Sequence, residues 1–139
     1  MKFKSRSNGR GWKGFTIMEL MIVLVVVAIL VALAYPSYTQ YVRKAKRGEA
    51  QQLLMNWSVN QEIFRSNNPQ YADEDDIPPP EHAAYDFEVG DLSASTFTLT
   101  ATAKGDQVND VEHGDSCTDL TINQNGQKGA NITCWGGKS

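Results

Sequence analysis

Twenty consecutive residues near the start of the chain, Phe15 to Ala34, are apolar or small except for Thr16 and Glu19. As an α-helix, which rises 1.5 Å per residue, this segment is about 30 Å long, the thickness of the hydrocarbon core of a bilayer. No small-x-small cleavage site follows it, so we expect it to be retained rather than removed as a secretory signal peptide. The sequence therefore predicts one membrane-spanning helix.

The carboxylate of Glu19 is the exception inside this segment. An acidic side chain at bilayer depth costs about 2.5–3.5 kcal/mol on insertion scales, so it is expected to serve a function. Two interpretations remain from the residues alone. The side chain extends to the headgroups, or it pairs with a cation supplied by another molecule.

Charge divides the chain into unlike parts. Residues 1–14 carry five basic and no acidic residues, whereas residues 48–139 carry four basic and fifteen acidic residues. Such an acidic region repels phosphate backbones, so we predict no nucleic-acid partner for it. The distal cysteines, Cys117 and Cys134, favour an oxidising compartment, which places the N-terminus in the cytoplasm and the distal part outside it.

Beyond the membrane segment, apolar residues continue at three- and four-residue spacing, which predicts that the helix extends and buries one face. These residues are Ala50, Leu53, Leu54, Trp57, Gln61 and Phe64. The helix is expected to end near Asn67 and Asn68, because Pro69 cannot continue the ladder of backbone hydrogen bonds. Residues 71–83, which contain four consecutive acids and three prolines, are predicted to be an exposed loop without a core of its own.

The remaining sequence has the two-residue alternation of half-buried antiparallel strands. Inward-facing residues are predicted in three segments: Tyr85, Phe87 and Val89; Phe97, Leu99, Ala101 and Ala103; Leu120 and Ile122. Gly90 and Asp91 predict a turn, and Asn125-Gly126 is a strong hairpin signal. The predicted fold class is α+β, with one long helix packed on a four-stranded antiparallel sheet.

The stretch "KGFTIMEL", Lys13 to Leu20, resembles the class III signal of the type IV pilin family. The resemblance implies that a prepilin peptidase cuts between Gly14 and Phe15 and that the new terminal amine of Phe15 is methylated. Glycine at the cut offers an unhindered backbone to the protease. The protonated amine of one subunit would then pair with Glu19 of a neighbour, and the cost of an unpaired charge would enforce register.

The same resemblance extends over the whole chain and implies the pilin fold. Pro36 matches a proline that bends the helix in many pilins, and a disulfide between Cys117 and Cys134 would close the C-terminal region. The two cysteines are 17 residues apart in sequence, and closing a loop of that size stabilises the folded state by on the order of 3 kcal/mol. The predicted division is a leader peptide at 1–14, a transmembrane and assembly segment at 15–47 and a globular head at 48–139.

The family implies a structural subunit of a type IV pilus, and the C-terminal pattern is similar to a minor pilin of the PilE type. The expected partners are the prepilin peptidase, other major and minor pilins and the inner-membrane assembly platform. The subunit would reside in the inner membrane with its head in the periplasm and then join an extracellular filament serving motility, adhesion or DNA uptake. The alternatives are a pseudopilin of type II secretion and a tip-located adhesin or DNA receptor.

No nucleophile elbow, phosphate loop or other catalytic pattern is evident, so we expect neither an enzyme nor a small-molecule substrate or cofactor. Metal binding by the two cysteines is disfavoured because no CxxC spacing exists and His82 and His113 lie in separate loops. The acidic run Asp73 to Asp76 lacks the pattern of a calcium loop. A second acidic set, Asp110, Glu112 and Asp115, is the other calcium candidate, and the prediction remains that no metal binds.

A basic cluster follows the membrane segment and consists of Arg43, Lys44, Lys46 and Arg47. We expect it to contact anionic headgroups while the subunit waits in the membrane. In the filament we expect it to face acidic heads of neighbouring subunits.

Overall fold

The computed structural model describes residues 14–129 and 131–136. They fall into two compact units that divide between Ser37 and Tyr38. One helix, α1, runs from Ile17 to Asn67, so its first part belongs to one unit and its second part to the other.

Local hydrogen bonds define both ends of α1. At the start, the hydroxyl of Thr16 accepts a hydrogen bond from the backbone N–H of Glu19 at 3.2 Å, as an N-cap does. At the end, the side-chain amide of Asn68 donates to the carbonyl of Phe64 at 2.9 Å, and Pro69 follows. The predicted end of the helix is confirmed. Pro36 lies inside α1 and does not end it.

The described residues of the unit before Tyr38 form one apolar segment of α1 after Thr16. Its side chains from Ile17 to Leu33 are exposed in the isolated chain, and it is long and apolar enough to cross a membrane by length and composition. Nothing in its own chain buries this surface over the described residues, so the segment needs lipid or other protein chains to cover it.

The described residues of the second unit form six short strands. They are β1 (Tyr85–Gly90), β2 (Thr98–Ala103), β3 (Val111–Glu112), β4 (Asp115–Ser116), β5 (Asp119–Asn123) and β6 (Lys128–Gly129). Strands β1, β2, β5 and β6 form an antiparallel sheet in that order, which confirms the predicted four-stranded antiparallel sheet. The β3–β4 hairpin and two 3₁₀ helices, Gly105–Asn109 and Ile132–Trp135, were not predicted.

The core of this unit lies between the sheet and the second part of α1. On the helix, Ala50, Leu54 and Trp57 are buried at the predicted spacing. They form one cluster with Phe97, which directly precedes β2, and with the inward-facing strand residues: Tyr85, Phe87, Leu99, Ala101, Ala103, Leu120 and Ile122. The two periods, 3.6 in the helix and 2 in the strands, therefore bring one apolar face of each element together.

The loop after the helix departs from the prediction. Asp73 to Asp76 are exposed as expected, but Tyr71 and Ala72 are buried. The buried side chain of Gln61 donates to the carbonyl of Ala72 at 3.0 Å and accepts from its backbone N–H at 2.9 Å. The Tyr71 ring meets the Phe97 ring edge-on at 4.7 Å between centroids. The loop therefore contributes to the core, because Gln61 satisfies the backbone groups that burial removes from water.

The predicted Asn125-Gly126 turn connects β5 to β6. Gly126 has φ of 69°, which glycine adopts without strain, and its backbone N–H donates to the carbonyl of Asn123 at 2.8 Å. Asp91 also has a positive φ of 48° where the chain leaves β1. Both predicted turn positions thus coincide with changes of direction.

Gly48 is different, since it lies in the interior of α1 and is exposed. A Cβ built on it meets no heavy atom within 4 Å. Glycine in a helix interior destabilises by about 0.5–1 kcal/mol relative to alanine. The described part of this chain therefore offers no packing reason for glycine at this position.

Candidate functional site

The predicted cleavage position lies just before α1. Gly14 and Phe15 are exposed, and neither belongs to the helix, which begins at Ile17. A protease needs its scissile bond in an accessible, non-helical backbone, and this bond has that form. The rest of the predicted leader, residues 1–13, lies outside the described residues. Cleavage and methylation at Phe15 stay predictions.

Glu19 lies in the first turn of α1. Its negative charge is favourable there, because the unpaired N–H groups of the first turn give a helix N-terminus a partial positive charge. A new amine at Phe15 would add a full positive charge next to the same turn. The site can therefore hold a carboxylate and an ammonium group close together, and the pairing between subunits stays a prediction.

The basic cluster has partners in its own chain, and its predicted contacts with neighbouring subunits stay a prediction. Arg43 forms two hydrogen bonds with the Asp106 carboxylate, at 2.9 and 3.0 Å. Lys44 pairs with Glu112 at 2.9 Å. Arg47 pairs with Asp110 at 2.8 Å and also with Glu112. We call these six residues the ionic clasp.

Lys46, the fourth residue of the cluster, is half-buried and contributes to the field at Asp106. Because the clasp uses most of the positive charge of the cluster, less remains for lipid headgroups. The predicted contacts of the whole cluster with lipid and with neighbouring heads stay a prediction.

Burial separates the clasp into an inner and an outer part. The side chains of Arg47 and Asp110 are only 3% and 4% exposed, whereas that of Asp106 is 67% exposed. Burial raises the pKa of Asp110 against the opposing effect of Arg47. Hydrogen bonds from Lys44 and then Arg47 lower the pKa of Glu112, and a hydrogen bond from Arg43 lowers the pKa of Asp106.

Gln107 lies next to the ionic clasp and forms hydrogen bonds with it. Its buried amide nitrogen lies 3.0 Å from the carbonyl of Arg43, 3.0 Å from the Tyr85 hydroxyl and 3.1 Å from the Asp110 carboxylate. Burial raises the pKa of Tyr85 to about 12, so this hydroxyl remains neutral at ordinary pH. The 3₁₀ helix at Gly105–Asn109 is thereby fastened to both α1 and β1.

Cys117 and Cys134 form a disulfide, with 5.6 Å between their Cα atoms. The residues between them contain β5 and β6. Next to the disulfide, the Trp135 indole N–H donates to the carbonyl of Gly129 at 2.8 Å, and the Lys128 ammonium lies 5.1 Å from the Trp135 ring centroid. A lysine of the closed loop and the aromatic ring directly after it thus lie side by side.

The other metal-ligand candidates have protein partners. His82 lies between Glu49 and the backbone N–H of Ala84. Asp110 and Glu112 bind Arg47, and Asp115 accepts a hydrogen bond from Thr133 at 2.8 Å. Within the described ranges, no three His, Cys, Asp or Glu side chains are grouped to hold a metal ion.

The sequence indicates the basic and the acidic residues of the ionic clasp separately, but it does not predict that they pair. Asp110 and Glu112 drew attention as calcium candidates, and the basic cluster drew attention for its charge. The opposite signs of the two groups were the available signal. Gln107 gave none, because a single glutamine carries no pattern, and the spacing placed Gln61 on the buried face of the helix without indicating its partner.

Comparison with known proteins gives two matching family models. Residues 36–121 match the family described as "Type IV minor pilin ComP, DNA uptake sequence receptor", and residues 13–35 match the prokaryotic N-terminal methylation motif. No curated protein matches the chain. Among solved structures, a type IV pilin from Shewanella oneidensis is similar in fold, with a TM-score of 0.55 and 22% sequence identity. That likeness covers 67% of this chain and 97% of the other.

Proposed function

Since this chain belongs to the ComP family of type IV minor pilins, we propose that it is cut after Gly14, methylated at Phe15 and built into a pilus as a minor subunit. The observation that carries the proposal is the exposed, non-helical Gly14–Phe15 bond directly before an apolar helix with Glu19 in its first turn. The methylation motif implies a prepilin peptidase and assembly with other pilins.

Charge explains why cleavage would precede assembly. Residues 1–14 carry five positive charges, which resist withdrawal of this end from the cytoplasmic face of the membrane. Cutting removes them and leaves one amine close to Glu19. In the apolar interior of a filament that amine and a neighbour's carboxylate neutralise each other, and a subunit in the wrong register leaves both unpaired.

The two halves of the chain support one topology. The disulfide between Cys117 and Cys134 is stable in an oxidising compartment, so the head lies in the periplasm and later outside the cell. The cleavage site lies on the cytoplasmic side of the span. The subunit is thus stored in the inner membrane and passes through the assembly platform into the filament, where it acts in priming or at the tip.

A second candidate function, DNA binding, is favoured by the description of the matched family as a DNA uptake sequence receptor. The local feature that suits it is the pair of Lys128 and Trp135, because a cation beside an aromatic face can hold a phosphate and stack a base. The acidic excess of residues 48–139 opposes it. We therefore place the subunit role first.

Genetic complementation tests the subunit role. Deleting the gene is expected to lower the number of surface pili, and the unaltered chain is expected to restore it. A Gly14→Glu variant, which replaces the small residue at the cut, is expected to remain uncut in the membrane and not to restore pili. Full restoration by an uncut Gly14→Glu chain would contradict the proposal.

Salt dependence tests the second candidate. Detergent-solubilised chain is mixed with double-stranded DNA at increasing salt, beside a Lys128→Ala variant. If the head is a DNA receptor, binding is expected to fall steeply with salt and to weaken in the variant. Binding that is undetectable at low salt, or unchanged by Lys128→Ala, would remove this role from the Lys128–Trp135 surface.

A further inference from the structure

A groove of about 620 Å³ lies in the second unit between α1, the β3–β4 hairpin and the 3₁₀ helix at Ile132–Trp135. Sites for small ligands in proteins have volumes of about 300–1,000 Å³. Three residues of the ionic clasp, Lys44, Arg47 and Glu112, are among those that line it. The groove therefore has the size of a ligand site and contains charged groups that are held in place.

Hydrogen bonds fasten the three walls of this groove to one another. The side chain of Gln51 on α1 donates to the backbone of the 3₁₀ helix at 2.7 Å. Lys44 on α1 pairs with Glu112 on the hairpin at 2.9 Å, and the Thr133 hydroxyl joins the 3₁₀ helix to Asp115 at 2.8 Å. A ligand thus meets a groove that is already formed, which favours binding because little has to be ordered.

Gly48 gives independent support for a ligand in this groove. It lines the groove from α1, and a Cβ built on it meets no heavy atom of the described chain within 4 Å. Glycine weakens a helix interior, so the fold alone gains nothing from it. A missing side chain does let a ligand lie directly against the helix backbone. An occupied groove therefore explains the glycine.

The polar groups that line the groove favour an anionic ligand. Both carboxylate oxygens of Glu112 already accept hydrogen bonds, one from Lys44 and the other from Arg47. The side chains of Lys44 and His113 are 63% and 78% exposed. An ammonium group has three N–H donors, so Lys44 retains donor capacity beyond its bond to Glu112. The groove thus has donors to offer, while the acid that lines it is already paired.

Trp135 adds a flat apolar surface. It lines the groove and is half-buried. Its indole N–H already donates to the carbonyl of Gly129 at 2.8 Å, so a ligand meets the ring rather than this donor. Ligand sites commonly combine such a ring with a few polar groups that fix orientation. A ring that carries an acidic group has the matching chemistry.

We infer that this groove binds a sugar unit that carries one carboxylate, within an otherwise neutral saccharide. The sugar ring would lie against Trp135 and Gly48, and its carboxylate would meet Lys44 and His113. A long polyanion is disfavoured because residues 48–139 carry fifteen acidic and four basic residues, whereas a single carboxylate needs only local donors. The inference goes beyond the proposed pilus role but uses it, since a head outside the cell is exposed to saccharides.

Direct binding to the full, detergent-solubilised chain tests the groove. The probe is a fluorescently labelled trisaccharide with one glucuronate between two N-acetylglucosamine units, and the uncharged control has three N-acetylglucosamine units. We expect saturable binding of the charged trisaccharide. Binding of the control should be at least about tenfold weaker, because it lacks a hydrogen bond to a charged group.

Two pairs of variants locate the binding in the groove. Gly48→Leu places a side chain in the groove and is expected to weaken binding at least about tenfold. Asn60→Leu, at an exposed position of α1 outside the groove, should leave binding unchanged. Lys44→Met should remove the preference for the charged trisaccharide, whereas Lys104→Met, which also removes a paired lysine, should retain it. The unfolding midpoints of all four variants report whether the head remains folded.

Three results would overturn the inference: no saturable binding of the charged trisaccharide, equal binding of both trisaccharides, or unchanged binding in Gly48→Leu and Lys44→Met. Displacement of the trisaccharide by a thymidine oligonucleotide at lower concentration would also overturn it, and would assign the groove to nucleic acid. The test does not depend on filaments. A chain that binds the charged trisaccharide but stays uncut and never enters filaments would lose the pilus role and keep the groove.

Discussion

The two parts of α1 are made of the same backbone structure but stabilised by different surroundings. The first part, up to Ser37, is an apolar segment whose side chains find no cover in the described chain. The second part is held by a core, by the ionic clasp and by hydrogen bonds from the sheet side. The difference teaches that the head makes this protein a folded subunit, whereas the first part makes it a subunit that needs partners.

The largest effect is expected from substitution of Glu19, and it should lower filament incorporation without changing the stability of the head. Glu19→Ala would leave a buried amine unpaired in the filament, at a cost of about 3–5 kcal/mol, which lowers incorporation by more than about a hundredfold. The thermal unfolding of the head should not change, because Glu19 contributes nothing to it. Counting the chain in filaments and in membranes measures the first effect. A destabilised head would show that the two regions are coupled.

Substitution of Arg47, unlike that of Glu19, should destabilise the head. Arg47→Ala leaves the carboxylate of Asp110 buried without its partner and is expected to lower the free energy of unfolding of the head by about 3–5 kcal/mol. Denaturant unfolding of the solubilised chain measures this loss. Arg43→Ala, which removes the partner of the exposed Asp106, is the matched control and should cost much less.

A double substitution sharpens this test. If Arg47 and Asp110 form a buried pair, replacing both by leucine should cost less than Arg47→Ala alone, because no unpaired charge is left. Equal losses from Arg43→Ala and Arg47→Ala would contradict the division of the clasp into an inner and an outer part.

The disulfide is expected to contribute slightly less than the inner pair. Replacing both Cys117 and Cys134 by alanine should lower the stability of the head by on the order of 3 kcal/mol, since the bond closes a separation of 17 residues. The loss is measured as a lower unfolding midpoint of the variant, and of the unaltered chain under reducing rather than oxidising conditions. Insertion of the first part of α1 into membranes should be indifferent to this change, and a loss of insertion would be unexpected.

Acid should destabilise the head through two carboxylates of the ionic clasp, Asp106 and Glu112. The pKa values of Asp106 and Glu112 are lowered in the folded chain, so their contribution is present above their unfolded values, about 4, and is lost as pH falls through the folded values. The raised pKa of Asp110 acts in the opposite sense, because protonation relieves its burial. Stability measured from pH 7 down to pH 2 should therefore fall below about pH 4, and a Glu112→Gln variant should show a shallower fall. An identical fall would contradict the role of Glu112.

Periodicity was enough to predict most of the fold. Apolar residues at a period of 3.6 located α1, and alternation at Tyr85, Phe87 and Leu99 located the sheet, because those patterns report which face is buried. The clasp escaped prediction, since Arg47 and Asp110 are 63 residues apart and only the folded chain brings them together. The sequence predicts an exposed loop at Tyr71 and Ala72, and both are buried, because the Gln61 hydrogen bonds that satisfy the Ala72 backbone leave no pattern in sequence.

The intact mass of the protein in sheared surface filaments, compared with its mass in membranes, tests the central claim most directly. We expect a filament form that begins at Phe15, carries one methyl group and one disulfide, and occurs at a low ratio to another pilin. A chain that retains Met1 to Gly14 and never occurs in filaments would contradict the claim that it is a processed minor subunit of a pilus.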